Sequence, residues 1–160
     1  MAPPFGVLIP FYLMFSRMGL LDRRISLVIV YMVFNLPFVV WMMRSFFSEL
    51  PLELEESAMV DGCTRWGAFA RIALPLALPG LAATMIFCVI MSWNEFLFAL
   101  LLTGTQAKTA PVALYGFVTF REVLWGPLFA AGTIITAPVL VFTLLAQKHL
   151  VRGLTMGAIK

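Results

Sequence analysis

Charge leaves this chain in long runs. No Asp, Glu, Lys or Arg stands between Arg24 and Arg44, between Arg71 and Glu95, or between Glu122 and Lys148. Each interval is long enough, or nearly so, for the roughly 20 apolar residues of a membrane-crossing helix. Met1 to Ser16 is also uncharged but shorter, with Pro3 and Pro4 at its start. The pattern predicts four helices: Pro3–Ser16, Ile25–Phe47, Leu76–Leu102 and Leu128–Gln147. The expected fold is all-α, a polytopic membrane helix bundle with about four spanning helices. Asn35 and Pro37 predict a kink midway along the second helix.

Between the second and third helices lies Ser48–Leu74, which breaks the apolar pattern. Pro51 suits the first position of a helix, and Glu53, Glu55 and Glu56 follow early in it, where negative charge favours the dipole. Asp61-Gly62 is a stop-and-turn pair. Thr64 is placed to cap a second short helix, on which Trp66, Phe69, Ala70 and Ala73 recur at helical spacing as one apolar stripe. Pro75 and Pro79 are expected to break or kink the chain as it returns to the membrane. The segment reads as helix, tight turn, helix: a docking element for a soluble partner, or a solvated loop carrying an ordinary surface helix. Further on come a polar loop at Gly104–Pro111 and a mixed stretch, Val112–Pro127. The latter is expected to hold a short interfacial helix with Trp125 at headgroup depth. Gly132 and Thr136 form a small-xxx-small pair in the last span, and Lys148–Lys160 is a basic tail.

Composition excludes a soluble globule. Hydrophobic residues are 62% and charged ones 12%, against about 45–50% and 25% in soluble domains. A formal charge of +3 fits loop arginines near lipid headgroups and gives no footprint for nucleic acid. An N-terminal signal peptide fits poorly, since the arginines follow the apolar run instead of preceding it. Cys63 and Cys88 lie in unlike contexts and predict no disulfide. With four spans, both termini and the polar segment share one side. That side holds six of the 11 basic residues and the other five, too even a split for the positive-inside rule to set orientation.

Catalytic groups are not expected. The sequence has no G-x-x-x-x-G-K-[ST] phosphate loop, its single histidine, His149, lies in the basic tail, and its cysteines lack zinc spacing. No catalytic residue, metal ligand or resident cofactor is predicted. Two places inside the spans still invite function. Asn35 is either interhelical glue or part of a solute path. Glu95, beside Asn94 in Ser92-Trp93-Asn94-Glu95-Phe96, is either a pathway or gating group or a structural hydrogen-bonder.

The polar segment carries a resemblance. Glu56-Ser57-Ala58, then Asp61-Gly62, then Ile72, Leu74 and Pro75 resemble the EAA loop of ATP-binding-cassette (ABC) importer permeases, with Ser57 in place of the first Ala. Gly19–Phe47, Ser92–Leu100 and the ending HLVRGLTMGAIK are similar to the carbohydrate branch of the maltose-transporter MalG type. The resemblance implies a single permease domain over residues 1–160, in which 48–74 is the cytoplasmic coupling loop. Glu56, Ser57, Ala58, Asp61, Gly62, Trp66, Phe69, Ile72, Leu74 and Pro75 would serve docking onto a separate ATPase subunit, which would bind ATP and Mg. It further implies a second permease subunit, an extracytoplasmic solute-binding protein, surrounding lipid, and a multi-pass location in a bacterial-type inner membrane. The implied cargo is a sugar or sugar-like solute. An ABC permease for an amino acid, peptide or polyamine is the alternative, as is a truncated, non-transporting membrane fragment. Family members have about six spans, of which this chain would supply the last four.

Overall fold

The computed structural model describes residues 4–119 and 121–155, with side chains described over 6–119 and 121–144. The helices are α1 (Pro4–Arg17), α2 (Arg24–Ser48), α3 (Leu52–Val60), α4 (Arg65–Ala68), α5 (Leu74–Trp93), α6 (Leu97–Leu102), α7 (Ala110–Tyr115) and α8 (Trp125–Thr155). A π-helical turn, Phe69–Ala73, joins α4 to α5. The only extended pairing among the described residues is a bridge between Val118 and Val123.

Among the described residues, three helical stretches are long and apolar enough to cross a membrane: Arg24–Ser48, Arg65–Trp93 and Trp125–Leu144. Between them they expose Met32, Trp41, Met85 and Ile134, as expected where lipid rather than water is the surrounding solvent. The 14-residue α1 is apolar but shorter than these. Pro3, where the first helix was expected to begin, lies outside the described residues, as do residues 156–160 of the tail and the side chain of His149.

The chain forms two compact units, Met1–Asn35 with Ile90–Val141, and Leu36–Val89 with Phe142–Lys160. In the first unit, Phe15 of α1, Val30 of α2 and Phe98 and Leu102 of α6 make a buried cluster. Leu27, Ala99 and Val112 make a second one beside it. Tyr31 bonds to Glu95 and Asn35 to Ser92, so here α2 runs antiparallel to the end of α5. In the second unit, Phe38 packs on Phe87, and Thr84 meets Met43. The partner number again falls as the α2 number rises, the mark of an antiparallel pair. Gly80 completes this pairing: a Cβ there would overlap the Phe46 ring. Small residues at such crossings let helices approach closely where lipid offers no hydrophobic drive to associate.

The first unit also holds a clasp that the pattern did not foretell. After α1, Gly19 takes a positive φ, and the N–H groups of Gly19 and Leu20 bond to the carbonyls of Ser16 and Phe15. The chain then turns through Asp22, whose φ is also positive, at 56°. The Asp22 N–H donates to the Leu102 carbonyl at the end of α6. Its carboxylate accepts from four consecutive backbone N–H groups, those of Gly104, Thr105, Gln106 and Ala107, at 2.7–3.1 Å. One side chain thus fastens the α1–α2 turn to the loop after α6. These donors, Ala107 first and then Gly104 and Gln106, hold the Asp22 carboxyl down at about 2, from an ordinary 3.8.

Several sequence expectations need correction. The third helix is not continuous from Leu76 to Leu102: it stops at Trp93 and restarts at Leu97. Pro75 and Pro79 do not break the chain, because Arg65–Trp93 is helical throughout. The wider π turn, Phe69–Ala73, ends two residues ahead of Pro75. Pro51 is the residue capping α3, one position before the helix starts. The short helix of the mixed stretch is confined to Ala110–Tyr115, and Trp125 opens α8, which runs on through part of the tail to Thr155.

Candidate functional site

The polar segment folds as a helix, a capped turn and a second helix. Glu53 and Glu55 occupy the first turn of α3, where carboxylates offset the partial positive charge of the helix N-terminus. At the other end, Gly62 N–H bonds to the Met59 carbonyl and Cys63 N–H to that of Ala58. With Gly62 at φ +89°, this is a Schellman stop, and glycine there avoids the roughly 1–2 kcal/mol that a Cβ would cost in the left-handed region. Thr64 caps α4 by accepting from Gly67 N–H at 3.2 Å. Every backbone donor through the turn from Asp61 to Cys63 is therefore bonded, and the element is a stiff elbow.

Burial divides the motif residues. Ala58, Ala68 and Ala73 face inward, and Phe69 packs between Phe47 and Trp66. Ala68 and Ala73 stand five apart because the turn between them is π-helical, so the expected single stripe does not form. Trp66 is 81% exposed and Ala70 is exposed, whereas Ala73 lies in the interior. Glu56, Ser57, Asp61, Gly62, Leu74 and Pro75 are exposed and Ile72 is half-buried. The Ser57 hydroxyl bonds back to the Glu53 carbonyl at 2.7 Å. The outer surface of the elbow thus carries the Glu56 carboxylate together with Val60 and Trp66, two large apolar groups that are nearly bare.

The second candidate region is in the other unit, where α5 gives way to α6. Glu95 sits in the break. Its carboxylate accepts from the N–H groups of Phe98 at 2.8 Å and Ala99 at 3.0 Å, and from the Tyr31 hydroxyl at 3.2 Å. It supplies acceptors that the first turn of α6 would otherwise lack. One turn further along α2, the Asn35 amide donates to the Ser92 hydroxyl at 3.0 Å. Val30, Tyr31, Phe34, Asn35, Met91, Ser92, Glu95 and two residues of α6 line a cavity of about 380 Å³ here. Asn94 does not join them: it is exposed and bonds to the Ile90 carbonyl at 2.8 Å.

Residues 1–156 match the family described as "Binding-protein-dependent transport system inner membrane component". The chain belongs to this family. Like its relatives, it is a multi-pass membrane protein. It is 44% identical over 99% of its length to a probable ABC transporter permease protein, y4oR, of Sinorhizobium fredii. It is 39% identical over its whole length to the trehalose transport system permease protein SugB of Mycobacterium tuberculosis. With the trehalose/maltose transport system permease protein MalG of Thermococcus litoralis it shares 40% identity over 91% of the chain. The chain spans 57%, 60% and 53% of these three relatives respectively, little more than half of each.

Within this inner-membrane component, the elbow gathers every motif residue from Glu56 to Pro75 into one unit, and the break gathers Asn35 and Glu95 in the other. Sequence reading missed three participants. Tyr31 precedes Asn35 by one helical turn, a spacing that could have marked it. Ser92 stood in the same short stretch as Glu95. Asp22 gave no sign, since its partners are backbone groups more than 80 positions away.

Proposed function

We propose that the chain is a membrane-spanning permease subunit of an ABC importer, bringing a sugar or sugar-like solute into the cytoplasm. Residues 48–74 are its joint to a separate ATPase. The observation that carries this reading is the elbow itself: a Schellman-capped turn at Gly62 that holds Glu56, Val60 and Trp66 outward on a stiff frame, in a chain of this family. A rigid element between two sites passes displacement from one to the other, which a slack loop would absorb. Glu56 offers a carboxylate for a charge-assisted bond to an arginine of the partner, and the two apolar groups supply area to bury. The sequence has no phosphate-binding loop, so ATP and Mg belong to the ATPase. The family description names a binding protein, which supports an extracytoplasmic partner delivering the solute, and a second permease subunit would complete the path. The names of the trehalose and trehalose/maltose relatives support a sugar cargo.

The test is ATP-driven uptake in cells carrying Glu56→Ala or Gly62→Pro. Proline lacks the N–H that bonds to Met59 and does not adopt a positive φ. Both variants are expected to reach the membrane in normal amount and to lose most uptake. Wild-type uptake by both would overturn the coupling role. Uptake of amino acids, peptides or polyamines in place of sugars would leave the joint standing and change the cargo.

A further inference from the structure

Three arginines crowd the turn between α1 and α2. Arg17 closes α1, and Arg23 and Arg24 lead into α2. All three are exposed. The fold adds a fourth cation that the sequence keeps far away. The Asp22 carboxylate accepts from Ala107 N–H, 85 positions on, so the exposed Lys108 stands beside the clasp. The acid among these cations is already engaged, since its oxygens accept from backbone N–H groups of the loop after α6.

Helix stability does not call for this cluster. Arg17 suits the C-terminal end of α1, but Arg23 and Arg24 stand at the start of α2, where the helix dipole disfavours a cation. The first turn of α2 holds no acid to offset them. Topology does not call for it either. α2 is one helix long enough to span, and with the elbow cytoplasmic, as proposed above, its Arg24 end faces outward. Loops on that side are usually poor in Lys and Arg. An anion bound among the four cations would offset both their mutual repulsion and the dipole.

The frame that carries them is stiff. Gly19 and Asp22 hold positive φ, Asp22 N–H bonds to the Leu102 carbonyl, and the buried Ser26 hydroxyl donates to the Leu20 carbonyl. Cations on such a frame lose less freedom on binding than cations on a loose loop. Their surroundings select the anion. Leu13 and Met14, a turn before Arg17, and Ile25 and Val28, just after Arg24, are exposed apolar residues. The cations therefore mark the level at which the lipid-facing surface ends, which is headgroup depth. Arginine grips a phosphate through paired hydrogen bonds, and acyl chains would lie on the apolar residues. The ammonium of a zwitterionic headgroup would meet the same cations and be repelled. An acidic protein surface would satisfy the charges and leave the apolar residues uncovered.

We propose that the clasp is a binding site for an anionic phospholipid, whose headgroup phosphate is held by Arg17, Arg23, Arg24 and Lys108. The lipid binds in either orientation of the chain; only the leaflet depends on the importer reading.

The full chain, purified in mild detergent with its assembled partners, is titrated with phosphatidylglycerol or phosphatidylethanolamine, and bound lipid is counted by native mass spectrometry. The wild type is expected to hold phosphatidylglycerol about tenfold more tightly than phosphatidylethanolamine, and replacing Arg17, Arg23 and Arg24 together by Gln should remove that preference. Arg44→Gln makes the same kind of charge change at the other end of α2 and should leave binding at the wild-type level. Asp22→Asn raises the net charge, so diffuse attraction would tighten binding; loss of the frame should weaken it instead. Equal affinity for the two lipids in the wild type, an equal loss in Arg44→Gln, or tighter binding by Asp22→Asn would overturn the site. Glycerol phosphate, which has the headgroup chemistry without the chains, should not displace the lipid; displacement would assign the cations to a free phosphate ester. If the triple variant keeps its phosphatidylglycerol and loses ATP turnover stimulated by a binding protein, the cations serve an acidic protein surface and the lipid site is rejected. The importer reading survives each of these outcomes.

Discussion

At the scale of single residues, the positions that matter most here act on backbone. Gly62 and Thr64 shape the elbow, Glu95 starts α6, and Asp22 closes the clasp. Gly62 was legible in the sequence because Asp-Gly is a local signal whose cause is local. Glu95 was legible as an oddity, an acid at the edge of an apolar run, but not as a cap, because capping depends on where the helix stops. Asp22 was illegible, since nothing in DRR announces four distant N–H donors. The clasp has a pH signature of definite sign. A carboxyl held at about 2 instead of 3.8 contributes stability that is fully present above the ordinary value and is lost as pH falls through the lower one. Hydrogen-exchange protection at Gly104, Thr105, Gln106 and Ala107, corrected for intrinsic rates, should be full above pH 4 and fall away toward pH 2. Asp22→Asn should lower it at all pH values and remove the titration. Unchanged protection in that variant would show that the loop is held by something else.

At the scale of elements, hydrophobic period and charge gaps placed both ends of α2 within one residue and the starts of α5 and α8 within three. They failed where a helix is interrupted or altered without a change in apolarity. The break at Asn94–Phe96 and the π turn at Phe69–Ala73 both lie in stretches whose composition alone reads as one helix. Proline does not interrupt the helix here: Arg65–Trp93 continues through Pro75 and Pro79. The close crossing of α2 and α5 is a property of the pair and so was hidden from either helix alone. It yields a prediction. Gly80→Leu should drive a side chain into Phe46 and destabilise the protein by about 1–3 kcal/mol, the usual cost of overpacking. Phe46→Ala in the same chain should recover part of that loss, so the two changes are non-additive. Thermal unfolding of the four proteins in one detergent measures the cycle. Strict additivity would mean that the two positions do not meet.

At the scale of the whole molecule, composition alone settled the class. A chain this apolar cannot cover itself with polar surface, and among the described residues three helical stretches are long and apolar enough to cross a membrane. Its motif residues supplied the family, which the match over residues 1–156 bears out. The polar segment is the longest stretch in which the sequence abandons its apolar pattern, and it folds as the stiff elbow. That the elbow meets an ATPase is the centre of the account, and a photo-crosslinker tests it most directly. Benzoylphenylalanine in place of Val60 or Trp66, the two most exposed apolar residues of the elbow, would be irradiated in native membranes. Trp41 in the exposed face of α2 would be replaced as a control, and the adducts identified by mass spectrometry. The account predicts an ABC ATPase subunit joined at both elbow positions and absent at Trp41. Adducts at Val60 and Trp66 with lipid alone, or with an extracytoplasmic protein, would contradict it.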